Sequence, residues 1–115
     1  MNRKYRLKSS TEFKRVRRNG KSYAHPLVIL VVCPNDLSTI RIGVQAGKSV
    51  GNAVRRNRAK RILRSAIQEY LPALHSGWDA ILIARPPLNN ADWSAILTVV
   101  RELLSRAGIF TEVED

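Results

Sequence analysis

Three kinds of side chain in this sequence could do chemistry, and two of them lack the neighbours that chemistry requires. His25 and His75 stand 50 residues apart, with no cysteine pair or carboxylate cluster beside them. A metal centre needs three or four ligands, and a hydrolytic triad needs a nucleophile with its base. The single cysteine, Cys33, lies in the apolar run LVILVVC, where a thiol is a small buried hydrophobe rather than a nucleophile. One cysteine excludes an internal disulfide and fits a reducing compartment. Gly47-Lys48-Ser49 has the look of the end of a phosphate-binding loop. That motif needs glycine where this chain has Ile42, and Gly43 is one place off, so nucleotide triphosphate hydrolysis is excluded and a connecting loop remains. What is left is the cations.

Arg55, Arg56, Arg58, Lys60, Arg61 and Arg64 put six cations into ten residues with no acidic residue among them, and Lys48 lies just upstream. On a helix such neighbours repel by about 0.2–0.5 kcal/mol per pair. A merely solvated face gains nothing from this, whereas a polyanion rewards it through counterion release. Residues 1–21 form a second block, nine Lys/Arg against Glu12 alone, while the chain outside 1–21 and 48–64 carries four basic and eight acidic side chains. A surface charged for solubility would mix its signs; two basic blocks set up a directed field. The net charge of +11 and pI near 10.9 favour nucleic acid over an anionic membrane. Tyr5, Phe13 and Tyr23 lie in or beside the first block, and aromatics among cations suit single-stranded RNA, whose bases stack on rings for about 1–3 kcal/mol each. For Phe13, anchoring its own helix is an equal alternative. Trp78 and Trp93 fall in core patterns.

The elements that must position these groups follow from periodicity. Residues 1–8 show none and read as a flexible basic arm. Ser9 and Glu12 have capping-box spacing, so a helix runs to about Arg18 with Asn19-Gly20 as its stop; Phe13 and Val16 face inward and Leu7 packs back on the first turn. Residues 22–33 read as one long strand, apolar on both faces. A turn at Pro34-Asn35-Asp36 leads to a second strand, antiparallel to the first, in which Ile40, Ile42, Val44 and Ala46 alternate with Arg41, Gly43 and Gln45. In the basic helix, Ile62, Leu63, Ala66, Ile67, Tyr70, Leu71 and Leu74 share one arc at about 100° per residue, opposite Asn57, Arg61, Arg64 and Gln68. Pro72 kinks or frays its end. Residues 78–85 are a buried strand stopped by Pro86-Pro87. Asn89 or Asn90 caps a last helix with Trp93, Ile96, Leu97, Val100, Leu103 and Leu104 on one face; Gly108 ends it, and 109–115 form a tail. The result is a single α+β domain, 1–115, in the order helix-strand-strand-helix-strand-helix. No apolar segment follows the basic N-terminus as in a targeting peptide, and the longest apolar run, residues 27–33, is too short to span a bilayer. The chain reads as cytoplasmic.

GNAVRRNRAKRILR at 51–64, centred on Arg56-Asn57-Arg58, resembles the signature of the bacterial ribonuclease P protein subunit. Arg6-Leu7, Phe13, Gly20, the apolar strand, RIGV at 41–44 and IARP at 83–86 agree with that family in order along nearly the whole chain. The resemblance implies a monomeric subunit that binds a large catalytic RNA and helps it remove the 5′ leader of precursor tRNA. Catalysis would then belong to the RNA with Mg2+, the protein itself holding no cofactor and having no catalytic residue or metal. It implies catalytic-RNA contacts from Lys48, Arg55, Arg56, Asn57, Arg58, Lys60, Arg61 and Arg64. It implies leader contacts from Arg6, Phe13, Arg17, Tyr23 and Val31, in a cleft between the first helix and the sheet, and a left-handed β-α-β crossover. Two positions depart from the family: Arg17 stands where some members carry a second aromatic, and Val31 where tyrosine can occur. Leader contact would then lean on charge more than on stacking. A ribosome-associated or general RNA-chaperone protein is the alternative, and a protein-only nuclease a third; composition alone separates none of them.

Overall fold

A computed structural model describes residues 2–111 of the chain. Helix α1 (Ser10–Asn19) is followed by strands β1 (Lys21–Ala24), β2 (Val28–Pro34) and β3 (Arg41–Ala46), helix α2 (Ala53–Tyr70), strand β4 (Trp78–Ala84) and helix α3 (Trp93–Ala107). The strands form one mixed sheet in the order β1-β2-β4-β3. β2 is antiparallel to both β1 and β4, while β3 and β4 are parallel and joined through α2.

Period-two alternation divides the sheet between two cores. Val28, Leu30 and Val32 of β2, Ile42 and Val44 of β3, and Ala80, Leu82 and Ala84 of β4 face a large core closed by α2 and α3. Ile29, Val31 and Cys33 of β2, with Ile81 and Ile83 of β4, face a smaller one closed by Leu7 and by Phe13 and Val16 of α1. β4 is apolar on both faces, and such a strand must lie inside the sheet. It therefore stands between β2 and β3, so β3 runs antiparallel to β2 as expected but is not its neighbour. α2 docks through Ala59, Leu63, Ala66 and Ile67, all fully buried. Burying a leucine of this kind stabilises by about 1.5–3 kcal/mol.

Several boundaries differ from those read in the sequence. The long strand expected over 22–33 is a hairpin. His25-Pro26-Leu27 turns the chain, the Leu27 N–H donating to His25 Nδ1 at 3.1 Å and the His25 N–H to the Val28 carbonyl at 2.9 Å. The helix, strand and helix order otherwise stands. Residues 1–8, expected as an arm without regular structure, contain a 3-10 turn at Arg3–Tyr5 and a parallel bridge from Arg6 to Ile42. The cause is Leu7, which is 6% exposed in the smaller core and donates its N–H to the Ile42 carbonyl at 2.9 Å. Asp92, rather than Asn89 or Asn90, takes the N-cap position of α3 without a side-chain cap bond, because Pro86–Asn90 forms its own 3-10 turn. Trp93, expected in the core, is 45% exposed on the first turn. The tail expected from 109 begins as core: Ile109 is fully buried, Phe110 bridges Leu74 and meets Tyr70 edge-on at 5.4 Å. Residues 112–115 of that tail lie outside the described residues. Ser9 caps α1 as expected, its Oγ accepting from the Glu12 N–H at 3.1 Å. Tyr70 ends α2, with Pro72 in the 3-10 turn Leu71–Ala73 that follows.

Candidate nucleic-acid interface

The basic helix starts where its sequence makes it start. Gly51 has φ of 134°, a conformation closed to side chains with a Cβ, and Asn52 then caps α2 by accepting the Arg55 N–H at 3.0 Å. The side chain of Asn89 braces this first turn from outside, donating to the Arg55 carbonyl at 3.1 Å. With Ala59, Leu63, Ala66 and Ile67 fixed to the sheet, Arg55, Asn57, Arg58, Arg61 and Gln68 are exposed, and Arg56, Lys60 and Arg64 are half-buried. Lys48 is exposed on the 3-10 turn leading into the helix. Among the described residues no carboxylate forms an ion pair with any of these cations. The first turn also carries no acidic residue, so the positive end of the helix dipole adds to Arg55 and Arg56 instead of being offset. An anion would relieve both repulsions at once.

The opposite face of the sheet carries a groove. α1 lies across β2 and β4, and Phe13 descends from it onto β3 at Gly43. A Cβ at Gly43 would stand 2.5 Å from Phe13 Cε1, so only glycine lets the ring rest on the strand. Beside Phe13 a cavity of about 360 Å3 is lined by Lys14, Arg17, Val44 and Gln45. It continues past Arg17 into one of about 370 Å3 whose far wall includes Gly47 and Lys60 of α2. The two basic blocks thus meet here, Arg17 from the first and Lys60 from the second.

Of the residues expected in the leader cleft, Phe13 and Arg17 line this groove. Arg6 is exposed at the β3 edge beside Ile42. Val31 is 3% exposed in the smaller core beneath α1 and is not part of the groove's lining. Tyr23 pairs with Leu30, which faces the large core, and so belongs to the other side of the sheet. There Lys21 and Arg106 approach its ring at 5.5 and 5.8 Å.

One residue that holds this site together escapes a reading of the sequence. Asp79 is fully buried on β4, on the α1 side. Arg41 donates to it twice, from Nε and Nη2 at 2.8 Å each, Asn35 once at 2.9 Å, and Arg15 of α1 completes the set. Arg41 also pairs with Glu12 of α1. Burial alone would push the Asp79 carboxyl up; the bonds from Arg41 and Asn35, the Arg41 charge and the Arg15 bond together hold it below its ordinary value. Arg41 is raised in turn, chiefly by its hydrogen bond to Asp79. The cluster ties α1 to β3 and β4. The residues of RIGV divide between the two faces. Arg41 grips Asp79 and Gly43 seats Phe13 on the α1 side, while Ile42 and Val44 fill the large core. An acid opening the apolar run WDAILIA, among so many arginines, was the available signal.

Among the described residues no group of three or more His, Cys, Asp or Glu side chains could hold a metal ion, and no helix is long and apolar enough to cross a membrane. Fold and site together define a small, strongly basic α+β protein of the polyanion-binding class. The family model for ribonuclease P matches residues 1–108. The chain is 39% identical over 114 residues to the ribonuclease P protein component of Herpetosiphon aurantiacus, covering 99% of this chain and 93% of that one. It is 37% identical over 110 residues to that of Dehalococcoides mccartyi, covering 96% and 90%. The solved ribonuclease P protein of Staphylococcus aureus superposes with a TM-score of 0.82 at 30% identity, over 93% of this chain and 98% of that one. The chain belongs to the ribonuclease P protein family, the protein subunits of a tRNA-processing ribonucleoprotein.

Proposed function

We propose that this chain binds the catalytic RNA of ribonuclease P through the exposed face of α2 and binds the single-stranded 5′ leader of precursor tRNA in the groove beside Phe13. The observation that carries the reading is the junction of the two. An α2 face of unpaired cations runs, by way of Lys60, into a groove bordered by Arg17 and floored by an aromatic ring. A groove of that kind suits an unpaired strand, with phosphates on the cations and a base on the ring. The mechanism is positioning: two polyanions are brought together, and the leader is held while RNA and its Mg2+ perform the cleavage. The protein contributes binding and orientation as a monomer in the cytoplasm, and none of its side chains takes part in bond breaking.

Reconstitution tests this. The protein, a bacterial ribonuclease P RNA and precursor tRNA are combined at low Mg2+, where added cationic surface matters most. Cleavage at the mature 5′ end is expected to rise well above that of RNA alone, with no cleavage by the protein without RNA. Unchanged cleavage would leave a general RNA-chaperone role, and cleavage without RNA would make the protein itself a nuclease.

A further inference from the structure

We propose that a cavity at the carboxyl end of α2 is a second subsite for the catalytic RNA, one that receives an unstacked nucleotide; this rests on the reading of the α2 face just given. The cavity has a volume of about 630 Å3, a size typical of sites for small organic groups. Three segments build it: the turn Arg3–Tyr5, the connection between β2 and β3, and the end of α2 with the turn Leu71–Ala73. Tyr5, Leu71 and Leu74 supply apolar surface, and Thr39 and Gln68 supply neutral donors and acceptors. Lys4 is the one charged residue on its lining, and its ammonium stands 5.0 Å from the centre of the Tyr5 ring. Apolar walls for a base, neutral groups for its edge and a single cation for its phosphate are what an unpaired nucleotide requires.

Position selects the occupant. Gln68 lines the cavity and is also the last residue of the stripe Asn57, Arg61, Arg64, Gln68 on the outer face of α2. At roughly 1.5 Å per residue it lies about 6 Å beyond Arg64 and about 16 Å beyond Asn57 along the helix. An RNA strand following that face reaches the cavity without changing sides. Lys4 comes from the other basic block, with Arg3, Arg6 and Lys8 around it in sequence. The leader groove opens toward the other end of β3: Ala46 and Gly47 border it, whereas Ile40, before the start of β3, borders this cavity. The catalytic RNA, not the leader, is the strand that arrives here.

Two substitutions test the assignment in the full-length chain. Ser38→Trp fills the cavity from an exposed loop position, and Lys4→Ala removes its charge. Each is expected to weaken binding to a bacterial ribonuclease P RNA about tenfold. The holoenzyme's preference for leader-bearing over mature tRNA should stay unchanged. Arg58→Ala with Arg61→Ala is the control for the α2 reading itself: no loss there overturns that reading and this proposal together. A loss there, with Ser38→Trp and Lys4→Ala binding as the parent does, overturns the cavity alone. So does a loss confined to precursor tRNA. A measurement free of substitution uses the 15N-labelled protein titrated in turn with AMP, GMP, CMP and UMP. Amide shifts gathered at residues 38–40 and 71–76 support the subsite; shifts only along 55–64 report phosphate on arginine and overturn it.

Discussion

Replacing Asp79 by asparagine keeps the shape of the side chain and removes its charge from beneath Arg15 and Arg41. Four donors converge on this carboxylate, two from Arg41, one from Asn35 and one from Arg15. An asparagine amide can accept on one side only, and its NH2 would oppose the donors on the other. Removing one partner of a buried ion pair costs about 3–5 kcal/mol. The lower end applies, because the side chains of Arg15 and Arg41 keep 36% and 22% exposure and so retain some water. A loss of about 3 kcal/mol in a domain of this size lowers Tm by about 12 °C at neutral pH. The sign of the pH dependence follows from the depressed native pKa. The contribution is fully present above the unfolded carboxyl value of about 3.9 and is lost as pH falls through the lower native value. The Tm gap between parent and Asp79→Asn, measured by circular dichroism melts from pH 7 down to pH 3, should therefore narrow on the acid side. A gap under about 3 °C at pH 7, or one that stays constant down to pH 3, would refute the reasoning.

Other consequences can be measured alongside it. Phe13→Ala should lower affinity for leader-bearing precursor tRNA over mature tRNA, by about 1–3 kcal/mol if one base stacks on the ring; equal losses for both substrates would leave the ring a purely structural anchor. Gly43→Ala should push the Phe13 ring off β3, costing about 1–3 kcal/mol of stability and reproducing the Phe13→Ala binding defect; crystallography of that variant would show the ring unmoved if the contact is slack. With about six phosphate contacts on α2, the log of catalytic-RNA affinity should fall with log salt at a slope of roughly −4 to −5, and Arg58→Ala with Arg61→Ala should flatten it by about 2. Asn52→Ala should cost about 1 kcal/mol in denaturant unfolding through loss of the α2 cap.

Local pattern made the helices legible. Ser9 and Glu12 marked the start of α1, Gly108 the end of α3, and helical spacing alone put the cationic stripe on the outer face of α2. Neighbour relations were harder, since they depend on distant residues. The turn at His25-Pro26-Leu27 was hidden by the apolar run after it, and β4 entered between β2 and β3 from a position more than 30 residues downstream of β3. The groove was half visible. Phe13 and Arg17 carry sequence signals, but that Gly43 seats the ring is a statement about two elements touching. Tyr23 shows the converse: an aromatic among cations in sequence, it is put by strand register on the far side of the sheet. Asp79 was the least legible of all, because its partners Arg15, Asn35 and Arg41 lie 64, 44 and 38 residues away and only folding brings them together.

The bridge between Arg6 and Ile42 bears on the life of the protein before it meets RNA. An uncovered sheet edge is a template on which another chain can add a strand, and aggregation starts there. Here β1, one edge, is only four residues long and opens with Lys21. The other edge, β3, is engaged at Ile42 by a segment carrying Arg3, Lys4, Arg6 and Lys8. A second molecule approaching that strand meets this positive field and is repelled by it. Charges proposed to serve RNA binding would therefore also keep free copies apart, and truncation of the first eight residues is expected to lower solubility.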